Sequence, residues 1–254
     1  MPAQPQHAAG ERSAGDRPLN RAERTAVAAA GVAPRRRRDA EATRARLLRA
    51  ATQEFARNGF AGARGDRIAR RAQSSERMLY YYFGSKEGLF REVLEQCYLQ
   101  LQRAERSLRL DDLPPRDALA AFCRFVWRYY TEHPEFIGLV NTENLHQARH
   151  LRKSPRIAEL VSPVVGLLES LLRRGQQDGS FRGGIDPVDL YIAIAALGYF
   201  YLSNQHTLSA VLARDLRTAA SRDAHWAASE AMILRFVAPA PLSGRAEPPL
   251  ESDK

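Results

Sequence analysis

The sequence predicts an all-α protein with a small N-terminal helix-turn-helix domain and a larger C-terminal helical bundle. Apolar residues recur at spacings of three and four through most of residues 39–238, which is the period of an amphipathic helix. Proline and glycine fall at the ends of these periodic runs, where helices begin and end. Residues 66–83 contain two short helical patterns separated by a tight break.

This two-helix stretch has one buried and one exposed face. Ser74 and Ser75 can cap the second helix, because their hydroxyls accept the backbone N–H groups of a helix start. Leu79 and Phe83 lie on one side of that helix and form its core face. The other side carries basic and aromatic residues, namely Arg77, Tyr80, Tyr81 and Tyr82. Such a pair is typical of a helix-turn-helix, whose second helix enters the major groove of DNA.

Charge is concentrated on this part of the chain. The protein has 254 residues and a net charge of +9. Residues 35–92 carry +8 of that excess, whereas residues 93–254 are neutral. A localised cationic segment indicates a polyanion-binding module, and a uniformly basic coat or membrane association is disfavoured.

The same region resembles the DNA-binding domain of the TetR/AcrR family of bacterial transcriptional regulators. The matches follow the family's order and spacing from Thr43 to Tyr98. They are Thr43-Arg44, Ala50-Ala51, Phe55-Ala56, Gly59-Phe60, Ile68-Ala69, Ala72, Leu79–Phe83 and Ser85–Leu89. The resemblance covers about a quarter of the chain and implies a repressor that binds double-stranded operator DNA and is released by a small-molecule effector.

The resemblance also implies which side chains contact DNA. Tyr81 and Tyr82 match DNA-touching positions of the family, and Lys86 matches its phosphate-binding lysine at a helix N-terminus. A phenol can hydrogen-bond a phosphate, and an arginine can reach a phosphate or a guanine edge. The candidate DNA-binding residues are Arg64, Arg77, Tyr80, Tyr81, Tyr82 and Lys86.

One departure from the family lies at the start of the motif's first helix. Gly62, Arg64 and Gly65 stand where the family usually has a capping Thr or Ser. We expect Asp66 to cap this helix instead, and the phosphate contacts of the usual hydroxyls are in doubt. A small-molecule sensor that no longer binds DNA therefore stays open as an alternative.

The sequence divides into four segments. Residues 1–38 lack large apolar side chains and are predicted to be a disordered basic arm, with an arginine run at 35–38 placed to contact DNA phosphates. Residues 39–85 form the helix-turn-helix domain and residues 86–238 the helical effector-binding and dimerisation domain. Residues 239–254 contain four prolines and are predicted to be a disordered tail.

The neutral bundle suits two functions. Pairing of the last two helices, 191–204 and 225–237, makes the homodimer that a two-fold operator requires. A pocket between helices is the usual ligand site of a bundle. The candidate effector-pocket residues are Phe122, Phe125, Tyr129, Phe136, Asn141, Asn144 and Tyr199.

Other function classes are weakly supported. Glu143, His146 and His150 have helical spacing that would place them on one helix face, so a helical metalloprotein is a second alternative, although an exposed polar face explains them as well. The chain has no nucleotide loop, dinucleotide fingerprint or nucleophile elbow, and we predict no enzyme activity, cofactor or metal. No transmembrane run or signal peptide is found, and Cys97 and Cys123 are read as core residues in a reducing cytoplasm.

Overall fold

The computed structural model describes the backbone of residues 21–239 and the side chains of residues 38–156, 159 and 163–239. Two units are distinguished, residues 1–45 and residues 46–254, and both candidate sites lie within the second. Over the described residues the structure is helical throughout, with nine α-helices and one 3₁₀ turn at Leu151–Lys153. The helices are α1 Arg21–Gly62, α2 Gly65–Arg71, α3 Glu76–Phe83, α4 Lys86–Arg106, α5 Pro115–Glu132, α6 Pro134–Leu145, α7 Ile157–Gln177, α8 Pro187–Val211 and α9 Ala219–Val237.

The first helix is longer than the sequence predicts. It begins at Arg21, although disorder is predicted up to residue 38. Residues 26–33 contain five alanines, the residue with the highest helix propensity, which favours a helical backbone there. Residues 1–20 and 240–254, for which disorder is also predicted, lie outside the described residues. Gly59 interrupts the helix with φ of 65°, as expected of a glycine at a helix end.

A small aromatic cluster forms the centre of the helix-turn-helix domain. Phe55 on α1 is fully buried, and its ring meets that of Phe90 on α4 edge-on at 4.9 Å. Phe60 lies just after the Gly59 break, and its ring centroid is 5.3 Å from that of Phe90. The core faces of α2 and α3, represented by Ile68 and Leu79, join the same buried cluster. The motif is therefore held by the side chains that its periodicity places inside.

The last helices of the bundle differ in their bounds from the prediction. Asp186 caps α8 by accepting hydrogen bonds from the backbone N–H groups of Val188 and Asp189, as the Asp186-Pro187 pair predicts. The helix then continues to Val211, seven residues beyond the predicted end at residue 204. No helix-breaking residue lies between Asn204 and Val211, and the chain turns only after it, before Thr218 caps α9.

Glycine allows α6 to pack closely against α1. A Cβ atom at Gly138 would lie 2.6 Å from the backbone oxygen of Ala56, which is well inside contact distance. Gly138 thus allows α6 to pack against the part of α1 that belongs to the DNA-binding head. Because the clash would be with backbone, it cannot be relieved by a side-chain rotation.

We expect Gly138→Ala to lower the free energy of unfolding by about 1–3 kcal/mol, the usual cost of overpacking. Chemical denaturation followed by circular dichroism measures the change. Gly166→Ala is the matched control, because Gly166 is exposed inside α7 and a Cβ atom there meets nothing within 4 Å. The control should be stabilised by about 0.5–1 kcal/mol. Equal stability of the two variants would contradict the close contact.

Candidate functional site

The turn of the helix-turn-helix is held by its own backbone and by one serine. Gln73 adopts a left-handed conformation with φ of 51°, and the Ser74 N–H donates to the Ala69 carbonyl at 2.9 Å. Ser75 caps α3, since its hydroxyl oxygen accepts from the Met78 N–H at 3.3 Å. The predicted serine cap of the second helix is confirmed. These bonds set the direction in which α3 leaves the turn.

The start of α2 is organised differently from the prediction. Asp66 does not cap the helix, and its carboxylate pairs with Arg64 at 3.1 Å and with Arg70 at 3.4 Å. The Arg64 N–H instead donates to the buried carboxylate of Glu54 at 3.3 Å. Glu54 is a residue that sequence reasoning missed, because it lies ten positions earlier on α1 and no spacing rule connects it to α2.

Gly65 has a packing role at the same place. A Cβ atom on Gly65 would lie 2.5 Å from Oε1 of Glu76, the first residue of α3. The glycine at position 65, where the TetR/AcrR family usually has a hydroxyl residue, therefore leaves room for the Glu76 side chain. The Glu76 carboxylate accepts a hydrogen bond from the Tyr80 hydroxyl at 3.4 Å.

The tyrosines of α3 differ in exposure. Tyr81 is 76% exposed and Tyr80 is 43% exposed, whereas Tyr82 is half-buried between Tyr81 and Phe83. Partial burial and the neighbouring Glu76 carboxylate raise the pKa of Tyr80, so its hydroxyl stays protonated and can donate. The exposed face of α3 is thus built of hydrogen-bonding phenols.

The basic candidates lie around this face. Arg77 on α3 and Arg64 before α2 are both exposed. Lys86 is half-buried at the first position of α4, with its ammonium 5.1 Å from the Phe60 ring centroid and 3.4 Å from the Ala61 carbonyl oxygen. One N–H of the ammonium donates to this carbonyl, and two more remain for other acceptors.

Comparison with known proteins decides the family. Residues 47–93 match the model of bacterial regulatory proteins of the tetR family, and residues 115–233 match that of the tetracyclin repressor-like C-terminal domain. The transcriptional repressor NicS of Pseudomonas putida is 47% identical over 181 residues, which is 71% of this chain and 85% of NicS. The chain belongs to the TetR family. It is a DNA-binding transcriptional regulator and not an enzyme.

More distant relatives agree with this TetR-family assignment. The regulator RutR of Escherichia coli K12 is 30% identical over 185 residues, covering 72% of this chain and 84% of RutR. Among solved structures, SCO4942 from Streptomyces coelicolor superposes with a TM-score of 0.58 at 31% identity, covering 75% of this chain and 97% of that one. The predicted fold class is confirmed.

A pocket lies between helices α4, α5, α6 and α8 of this TetR-family protein. Its volume is about 260 Å³, near the lower end of ligand pockets. Three predicted candidates, Phe136, Asn144 and Tyr199, line it. Asn141 is adjacent, since its carboxamide oxygen accepts hydrogen bonds from the hydroxyls of Tyr199 and Ser203.

The other three candidates lie elsewhere in the bundle. Phe122, Phe125 and Tyr129 on α5 are buried in the core and do not line this pocket. Their helical spacing marks them as buried, but it does not show which side of α5 meets the pocket. The lining that sequence reasoning missed consists of Tyr98, Tyr130, Val140, Tyr191, Ile192, Ala195 and Ala196.

Three of the pocket tyrosines, Tyr98, Tyr130 and Tyr191, are neutral hydrogen-bonding groups. Burial, with a contribution from Glu143, raises the pKa of Tyr98 to about 12. Burial likewise raises the pKa of Tyr130 and of Tyr191 well above the ordinary value. A ligand in this pocket therefore meets phenol hydroxyls and aromatic rings, and none of the described residues that line the pocket carries a charge.

The residues of the metalloprotein alternative serve the fold instead. Helix α6 ends at Leu145, and Gln147 and Ala148 are left-handed, so His150 is not on the α6 face that the spacing predicts. The buried Glu143 carboxylate accepts from the backbone N–H groups of His150 and Leu151 and contacts the His150 ring at 2.7 Å. Among the described side chains, no group of three potential ligands is arranged to hold a metal ion.

Two further sequence expectations concern the cysteines and the membrane. Cys97 and Cys123 are unpaired and buried, and burial raises the pKa of each thiol to about 12, which fits the reading as core residues. Within residues 21–239, none of the helices combines the length and apolar character needed to span a bilayer.

Glu105 on α4 is a buried carboxyl whose titration should be measurable. Burial raises its pKa from an ordinary value of 4.5 to about 7. The folded state therefore binds this proton more tightly than the unfolded chain, and wild-type stability falls as the pH rises from about 4.5 through 7.

We expect Glu105→Gln to remove this loss, so that the variant gains roughly 2–3 kcal/mol over wild type between pH 5 and pH 8. Urea denaturation at a series of pH values measures the difference. Glu132→Gln, at an exposed position of α5, is the control and should run parallel to wild type. A Glu105→Gln curve that also runs parallel would contradict the raised pKa.

Proposed function

We propose that this TetR-family regulator is a homodimeric repressor that occupies an operator and leaves it when a small molecule fills the bundle pocket. Residues 39–85 bind DNA and residues 86–238 bind the effector and the second subunit. The observation that carries the proposal is the exposed phenol and guanidinium face of α3, built on a neutral helical body. The similarity to NicS, which is named a repressor, supports repression over activation.

Each candidate DNA-binding residue has a role that follows from its exposure. Tyr81, the most exposed of the three tyrosines, reaches a phosphate or a base edge in the major groove. Arg77 and Arg64 supply charge on either side of the turn, and Lys86 adds a phosphate contact at the N-terminus of α4. Tyr80 and Tyr82 are less exposed and flank these contacts on α3.

The dimer is proposed to form through α8 and α9. Six large apolar side chains on these two helices are exposed, whereas other apolar side chains of the same helices are buried in the core. The six exposed residues are Val188, Ile192, Phe200, Val211, Met232 and Phe236. Exposed large apolar side chains concentrated on two helices are typical of a protein–protein interface. Pairing of two subunits places two recognition helices about one turn of duplex apart, roughly 34–36 Å.

The effector and the operator would be coupled through α4. This helix begins with Lys86 at the DNA surface and carries Tyr98 in the pocket wall. The close contact of Gly138 with α1 links α6, which lines the other side of the pocket, to the DNA-binding head. A ligand shifts the equilibrium by its differential affinity for the operator-bound and released arrangements. The pocket's aromatic walls and hydroxyls suit a small flat molecule with polar groups at its edge.

The direct test is binding of the purified protein to the DNA upstream of its own and adjacent genes. We expect a specific complex whose affinity falls steeply with salt, as phosphate contacts require. Absence of binding at every salt concentration would favour the alternative of a sensor that does not bind DNA. Compounds that release the complex then identify the effector.

Tyr81→Ala should weaken operator binding roughly tenfold, because one hydrogen bond to a charged phosphate and its ring contact are lost. Fluorescence anisotropy of a labelled operator measures the affinity, and sedimentation checks that the dimer is intact. Tyr81→Phe is the matched variant that keeps the ring and loses only the hydroxyl, so its effect should be smaller. Wild-type affinity of Tyr81→Ala would remove Tyr81 from the site.

Phe200→Asp should break the dimer, since it places a charge on the exposed apolar face of α8 and α9. We expect sedimentation as a single subunit and at least a tenfold loss of operator affinity. Leu145→Asp is the control, because Leu145 is 84% exposed at the end of α6 and lies outside this face. A Phe200→Asp protein that stays dimeric would place the interface elsewhere.

A further inference from the structure

Glu76 is the first residue of the recognition helix α3, and its side chain is exposed. The Ser75 hydroxyl caps this helix, so the Glu76 carboxylate is not needed as a cap. In a helix-turn-helix, the N-terminal residues of the second helix contact base edges in the major groove. Glu76 therefore occupies a position of the motif from which the DNA sequence is read.

The Glu76 side chain is held at this position by two neighbours. The Tyr80 hydroxyl, one helical turn later on α3, donates to Oε1 of the carboxylate at 3.4 Å. Gly65 at the start of α2 lies so close that a Cβ atom there would be 2.5 Å from the same Oε1. Among the side chains that the structure describes, no basic group forms an ion pair with Glu76. The carboxylate thus lies between α2 and α3 and keeps acceptor capacity for a further donor.

A carboxylate at a DNA surface matches only some of the groups that it meets. The phosphate oxygens are negatively charged acceptors and repel it. On the major-groove edge, guanine and thymine present acceptors and no donor. Adenine presents an amine donor beside the N7 acceptor, whereas cytosine presents only its N4 amine. Cytosine is therefore the base that a carboxylate recognises best.

We propose that Glu76 is a specificity-determining residue, whose carboxylate accepts a hydrogen bond from the N4 amine of a cytosine in the operator. Tyr80 acts as a positioning residue, because its hydroxyl holds the carboxylate. The proposal rests on the proposed function in one respect, namely that the exposed face of α3 enters the major groove. It adds an acidic base-reading group to a surface whose other candidates are arginines, tyrosines and a lysine.

A carboxylate that contacts no base would behave differently. It would repel the phosphates of every duplex alike, so removal of its charge would strengthen binding to all sequences by the same factor. A base-reading carboxylate changes the discrimination between sequences instead. The base preference, and not the affinity for one duplex, is therefore the quantity to measure.

The experiment selects duplexes from a randomised library with the full-length protein and with its Glu76→Gln variant. Wild type should enrich cytosine at one position, and replacement of that C·G pair by T·A should weaken binding roughly tenfold. Because a carboxamide pairs with N6 and N7 of adenine, Glu76→Gln should change the preference at this position from cytosine to adenine. Fluorescence anisotropy of individual duplexes measures each affinity.

Two further variants test the positioning role and the effect of charge. Tyr80→Phe keeps the ring and removes the hydroxyl, so discrimination at the same position should fall several-fold while the preferences at other positions remain. Glu87→Gln is the matched control, because Glu87 is exposed in the first turn of α4 on the same DNA-binding head and the charge change is identical. Its base preferences should equal those of wild type.

An unchanged base preference of Glu76→Gln would overturn the proposal, and so would an equal gain of affinity for every duplex in Glu76→Gln and Glu87→Gln. Either result, obtained while wild type selects a defined sequence, leaves the proposed function standing. A wild-type protein that selects no sequence would overturn the proposed DNA-binding face together with the role of Glu76. The two failures are therefore distinguishable.

Discussion

The packing of Phe60, Phe90 and His150 against one another is the contact on which the arrangement of the protein depends. The His150 ring lies 4.9 Å from each of the two phenylalanine rings, so a residue of the segment after α6 completes the core of the DNA-binding head. Glu143 holds that segment in place by accepting two backbone N–H groups and the His150 ring. A displaced α6 would therefore disturb the core beneath the recognition helix.

This arrangement explains how a bundle pocket can affect a DNA surface. The pocket wall and the junction use the same helix, α6, which carries Phe136 into the pocket and Glu143 into the junction. Helix α4 makes a second connection from Tyr98 to Lys86. Packed cores respond to a ligand by changing between discrete arrangements, because close packing leaves little room for gradual deformation. In the proposed mechanism, the two helices that serve both sites would couple the pocket to the DNA-binding surface.

Sequence reasoning predicted which side of α3 is exposed, but it did not predict the residues that support this helix. The exposed side of α3 is local information, since one helix period separates Tyr81 from Leu79 and Phe83, and the structure places these side chains as the period predicts. The prediction that Asp66 caps α2 was wrong, because the carboxylate that accepts the Arg64 N–H at the start of α2 belongs to Glu54 on α1. Seven of the ten residues that line the pocket were missed for the same reason, since Tyr98 and Tyr191 meet only after their helices pack.

The sequence by itself determined the helical class, the helix-turn-helix, the basic character of the N-terminal quarter and the family, because periodicity, capping and charge are properties of neighbouring residues. The tertiary structure decided which aromatic residues are core and which line a pocket, and it turned Glu143 and His150 from a metal-like spacing into a buried support. Those outcomes depend on which faces of distant helices pack together. The spacing of residues along the sequence carries no information about distances between helices.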